Sequence, residues 1–165
     1  MTITITKPTA KVEVITDVNV LRDLIEAFNV LNQLQEANKP AKTVQAQKTK
    51  TRKIMKQVDE STLIFVLHGL NSSAWNLLVV KHSSAKGNVV VKDWPALIMD
   101  AIPGMLDGVR WKLPHDGVQD VALTNDELHE LLESLTDSQA QELMVQIQTL
   151  NTPVASVPKE LRDRL

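Results

Sequence analysis

At 165 residues the chain is long enough for one domain of ordinary size, or for a compact domain with arms. It is 43% hydrophobic and 23% charged, so a core can form, and the formal net charge is only −2. Three Trp, two Phe, no Tyr and no Cys argue against an aromatic sugar cleft or a base-stacking platform, and exclude disulfides and thiol chemistry.

Residues 2–15 alternate: Ile3 and Ile5, then Val12 and Val14, stand between polar neighbours in a strand pattern interrupted at Pro8. Residues 1–16 are therefore read as an N-terminal strand arm, and the lack of an apolar run there argues against a signal peptide. Asp17 is placed to cap a long amphipathic helix with Leu21, Leu24, Ile25, Phe28, Leu31 and Leu34 at i, i+3, i+4, i+7 spacing. Pro40 should stop it near Asn38. The following stretch keeps helix-compatible spacing at Val44, Thr51, Ile54, Met55 and Val58, but the stripe is thin, so residues 17–58 read as an amphipathic helix and a basic connector.

Thr62–Leu67 is a short apolar run rich in β-formers and reads as a buried strand before the His68-Gly69 turn. The helix that follows, SSAWNLLVVKH, is apolar on several sides and is expected to be buried. Gly87-Asn88 signals a turn, and Asp93 with Pro95 starts a helix closed by Pro103-Gly104. Residues 108–117 read as a loop or short strand. Two capping boxes, Thr124 with Glu127 and Thr136 with Gln139, each open a leucine-striped helix. This makes 59–150 a mainly helical body and 151–165 an extended tail with a short turn at its end. The fold class is mostly α: a helical domain with a small β element, comprising the N-terminal strands and Thr62–Leu67, and a long N-terminal helix. No apolar stretch approaches the length of a membrane span.

The near-neutral charge conceals a split. Seven basic residues and no acidic one lie between Ala37 and Val58, among them Lys48, Lys50, Arg52, Lys53 and Lys56. From Leu113 to Pro158 there are eight acidic residues and no Lys or Arg. Such a division can orient partners and permits head-to-tail self-association into a homo-oligomer. The basic segment also suits phosphate backbones, although it has one Arg and no aromatic residue.

The motifs of catalysis are missing. The four histidines have no HxxxH or HExxH spacing, the serines lie at helix ends rather than in a GxSxG elbow, and no phosphate-binding glycine loop occurs. No catalytic, metal or cofactor-binding residue is assigned, and an enzyme is not expected.

The block LIFVLHGLNSSAWNLLVVKH, the Gly87-Asn88 turn and the apolar DWPALIMDAI resemble the tail assembly chaperones of long-tailed, siphovirus-type bacteriophages of actinobacteria. The shared signatures are a strand ending in a small residue plus Leu (Phe65 to Leu70), a helix with Trp75, Leu77 and Leu78 ending in His82, the Leu-Thr-x-x-Glu-Leu start at Leu123–Leu128, and Leu150-Asn151 before a proline-containing tail. The likeness covers about residues 17–158. Many members have two prolines after the His, where this chain has Ser83-Ser84, and an acidic first-helix region, where this one is basic.

The resemblance implies a non-catalytic protein of the host-cell cytoplasm, absent from the finished virion. It would bind the tape-measure protein, keep it soluble and promote polymerisation of the tail-tube protein around it. The family also implies a longer, frameshifted form beside the short form that this chain looks like. Leu21, Leu24, Ile25, Phe28, Leu31 and Leu34, with Lys48, Lys50, Arg52, Lys53 and Lys56, are the candidate partner-binding residues. The alternatives are a structural tail subunit retained in the virion, or a nucleic-acid-binding accessory protein using residues 39–56.

Overall fold

The computed structural model describes all of residues 1–165. The chain is 55% helix and 22% strand, a mixed α/β architecture weighted toward helix. Its elements are β1 (Thr9–Ile15), α1 (Val18–Glu36), α2 (Ala41–Glu60), β2 (Thr62–His68), α3 (Ser72–Lys81), β3 (Ser83–Lys86) and β4 (Val89–Lys92). After these come α4 (Trp94–Met105), β5 (Leu106–His115), β6 (Val118–Val121), α5 (Asn125–Glu133), α6 (Asp137–Asn151) and α7 (Lys159–Arg164). The larger sheet has the order β1-β2-β5-β6, and β3 and β4 form a separate two-stranded ribbon. No helix is long and apolar enough to cross a membrane.

The chain divides into two compact units. The first comprises residues 1–12, 66–107 and 123–165, and the second comprises 13–65 and 108–122.

In the first unit α4 supplies the centre of the core. Leu97, Ala101, Ile102 and Met105 are fully buried, and α4 packs on α3, α5 and α6. Leu143, Ile147 and Leu150 line the inner face of α6, while Leu128 and Leu132 do so on α5. Both capping boxes form, with each threonine hydroxyl accepting from the N3 backbone and the N3 side chain returning to the cap. Helix α4 runs past the expected stop at Pro103-Gly104 to Met105. A proline in the last turn forfeits its own N–H there, and Leu106 N–H still reaches the Ile102 carbonyl.

The end of β2 is fixed by close approach. Gly69 donates its N–H to Pro8 O at 2.9 Å. A Cβ at this glycine would lie 2.5 Å from the Leu150 carbonyl oxygen, so the backbone passes where no side chain fits. The neighbouring Leu70 N–H donates to Asn151 Oδ1 at 2.7 Å, and Asn151 Nδ2 donates to Ile147 O at 2.8 Å.

The second unit is built on a helical hairpin. Asp17 caps α1 by accepting from the N–H groups of Asn19 and Val20. The helix ends in a Schellman motif: Asn38 has φ 51°, its N–H donates to Gln35 O, and Lys39 N–H donates to Leu34 O, both at 3.1 Å. Pro40 then begins α2, so the basic segment is a continuous helix. At one end of β1 and β2, Thr16 N–H donates to Ser61 O at 2.8 Å. Val14, Val58, Leu63, Phe65 and Val109 are the unit's buried apolar residues outside α1.

Two expectations are corrected and one open reading is resolved. One N-terminal strand forms, not two: the alternation at Ile3 and Ile5 stays outside any strand, because Pro8 interrupts the ladder with its fixed φ and missing donor. Helix α3 buries only Trp75, with Leu77 and Val80 more than two-thirds exposed. Residues 108–117 are mostly strand, and Asp116-Gly117 (φ 50° and 79°) makes the two-residue turn between β5 and β6.

Candidate partner-binding surface

Helices α1 and α2 pack on each other as an antiparallel hairpin, and each is the other's principal neighbour. Its seam is narrow. Leu24, Ala27 and Leu31 are buried on α1, and Thr51 and Val58 on α2. Ala27 and Thr51 are small enough to let the helices approach. Thr51 satisfies its own hydroxyl by donating to Gln47 O at 2.8 Å. Gln47 Nε2 crosses the seam to Ala27 O at 2.9 Å and fixes the register.

An apolar stripe wider than the seam leaves part of itself uncovered. Of the six apolar candidates on α1, Leu24 and Leu31 are buried, Leu21 and Leu34 are half-buried, and Ile25 and Phe28 are each 53% exposed. One side of the hairpin is a groove lined by Asp23, Glu26, Ala27, Val30, Gln47, Lys50 and Ile54. At 3.6 residues per turn, Leu21, Ile25 and Phe28 fall on the opposite side of α1. The register set by Gln47 puts Lys48, Arg52 and Met55 on that same side of α2, where Met55 is 47% exposed. An apolar strip bordered by two cations results.

The basic candidates divide as well. Lys48 is half-buried, whereas Lys50, Arg52, Lys53 and Lys56 are exposed. Only Lys56 has an ionic partner, Glu60 one turn later at 3.8 Å, so Lys48, Lys50, Arg52 and Lys53 form no ion pair. Lys42, Lys53 and Lys56 follow the outer face of α2, away from the buried Thr51 and Val58.

The fold also brings together two charge clusters. In the first unit, Asp100 Oδ2 receives Lys81 Nζ at 2.8 Å and lies 2.6 Å from His82 Nε2. The Lys81 ammonium, followed by His82, holds the Asp100 carboxyl below the ordinary carboxylate range. An open cleft of about 610 Å³ lies beside it, with Ile98, Leu132 and Ala140 in its wall and Asp93, His129, Glu133 and Asp137 at its rim. No three His, Asp or Glu side chains converge there in metal-binding geometry. In the second unit, Lys112 Nζ bonds Glu13 and Asp59 at 3.0 Å each, and these carboxylates raise its pKa. Both clusters join residues far apart in sequence, so no local motif announces them.

No protein-family model, no curated protein and no solved structure matches the chain.

Proposed function

We propose that this protein is a tail assembly chaperone of the kind made by long-tailed actinobacterial phages, acting in the host cytoplasm and leaving before the virion is complete. Its client is the tape-measure protein, which it keeps soluble while tail-tube protein polymerises around it. The observation that carries this reading is the uncovered strip of Ile25, Phe28 and Met55 on a two-helix hairpin. Two antiparallel helices with an apolar side left over have the form of an incomplete bundle, and an amphipathic helix of a client is the element that completes one. Lys48 and Arg52 beside the strip keep it solvated when empty. Two signatures of the resemblance, Gly69-Leu70 and Leu150-Asn151, also meet through the Leu70–Asn151 hydrogen bond.

Co-expression with the tape-measure protein of the same tail tests this. The wild-type chain raises the soluble fraction of the client, whereas Ile25→Ser with Phe28→Ser loses that effect while keeping the wild-type circular dichroism. No solubilisation at stoichiometric ratio sinks the proposal. Mass spectrometry of purified particles separates it from a retained tail subunit, because a chaperone is absent from them. A nucleic-acid-binding role has one observation in its favour, the basic outer face of α2. DNA binding with a steep salt dependence supports that role, and its absence at low salt removes it.

A further inference from the structure

The first unit holds two pieces of unused strand chemistry. Residues 2–6, Thr-Ile-Thr-Ile-Thr, are all β-branched and alternate with the period of a strand, yet they form none. Ile3 and Ile5 are 88% and 83% exposed. The second piece is the ribbon β3–β4. Its Gly87-Asn88 loop has Gly87 at φ 65°, the sign a two-residue type II′ loop requires at its first position. Val89 and Val90 point to opposite faces of the ribbon and are 62% and 68% exposed, so both faces are apolar and uncovered.

Two strands alone are marginal in water, and a third makes a sheet. In the ribbon β4 pairs with β3 alone, so its outer edge has no strand beside it. That edge is guarded only by its shortness and by Lys92: β4 has no proline and no bulge in its register with β3.

We propose that residues 2–6 of one copy of this chain add as a strand to the outer edge of β4 in a second copy, each copy giving an arm and accepting one. The inference is independent of the proposed chaperone role. At about 3.3 Å per residue the arm spans β4 along its whole length. Backbone hydrogen bonds join the strands, with both isoleucines on one face of the enlarged sheet and the threonines on the other. Ile3 and Ile5 are 88% and 83% exposed and the three valines of β4 are 40–68% exposed, so each arm-and-edge contact draws on five such side chains and a reciprocal pair on ten.

Sedimentation velocity on the full chain tests the pairing. The wild-type protein sediments as a dimer in both low and high salt, because apolar strand exchange is little screened. Ile3→Ser with Ile5→Ser weakens the dimer by at least roughly tenfold, and the exposure of both residues leaves folding intact by circular dichroism. The chain has no cysteine, so a cross-link is unambiguous. Oxidising a mixture of a Thr4→Cys chain and a Val90→Cys chain yields the mixed disulfide dimer. A wild-type monomer, a dimer lost in high salt, or a dimer indifferent to Ile3→Ser with Ile5→Ser overturns the proposal.

Discussion

Gly69 shows how one missing side chain can hold two distant parts of the sequence together. Its N–H reaches Pro8 O, and its Cα passes so close to the Leu150 carbonyl that an added methyl would sit 2.5 Å from the oxygen. That oxygen belongs to the backbone of α6 and cannot rotate aside. Gly69→Ala therefore forces the strand end and α6 apart, at a cost of about 2 kcal/mol. The thermal midpoint should drop by roughly 4–8 °C, and an unchanged midpoint would show that this approach is not constrained. Asp100 gives a different kind of test. Lys81 and His82 depress its pKa, so its contribution to stability is present above the unfolded carboxylate value and is lost as pH falls through the lower folded value. The site is partly open to solvent, which limits the contribution to about 1 kcal/mol or less. In thermal melts, Asp100→Asn should be less stable than wild type at neutral pH, and the gap should close in acid below the folded pKa. A gap that persists there would point to packing rather than charge.

At the scale of elements, what could be read from the sequence followed from how local the cause was. The helices α5 and α6 begin where their capping boxes lie, because Thr124 and Thr136 find their partners within three residues. Thr136→Ala should cost about 1 kcal/mol, seen as a midpoint lower by roughly 2–4 °C, and Thr136→Ser should restore most of it. The ends of α1 were legible for the same reason, through Asp17 and through Asn38 before Pro40. By contrast, the apolar residues of α3 suggested a buried helix, but Leu77 and Val80 face solvent because only Trp75 points into the core. Composition cannot tell which side of a short helix finds neighbours. The β5–β6 hairpin had its signal in Asp116-Gly117, a pair suited to two successive positive φ values. Pro114 reads against a strand, and Asp120 takes the position that alternation from Val118 reserves for an apolar residue, so the flanks hide it. The candidate surface was legible as a stripe on α1. Its division into a buried seam and an exposed strip depends on where α2 lies, and the thin apolar face of α2 gave no register before Gln47 supplied one.

At the scale of the whole molecule, the net charge of −2 is the sum of segments with opposite character, and that separation makes the functional readings distinguishable. The outer face of α2, with Lys42, Lys53 and Lys56, points away from the seam, while the apolar strip and its bordering Lys48 and Arg52 lie to one side. Replacing Lys42, Lys53 and Lys56 together by Gln removes three cations without touching the buried Thr51 and Val58. The helix keeps its propensity, since Gln and Lys are near-equivalent helix formers. Stability should therefore stay within about 0.5 kcal/mol of wild type. If the strip on α1 and α2 carries the activity, this triple variant solubilises the client as well as the wild-type chain does, and Ile25→Ser with Phe28→Ser does not. If the basic face carries it, the outcomes exchange, and any DNA affinity loses part of its salt dependence along with its strength, because fewer counterions are released per binding event. Comparing the two variants in one pair of assays, client solubility and a salt titration of DNA binding, assigns the function to one face of the hairpin or the other.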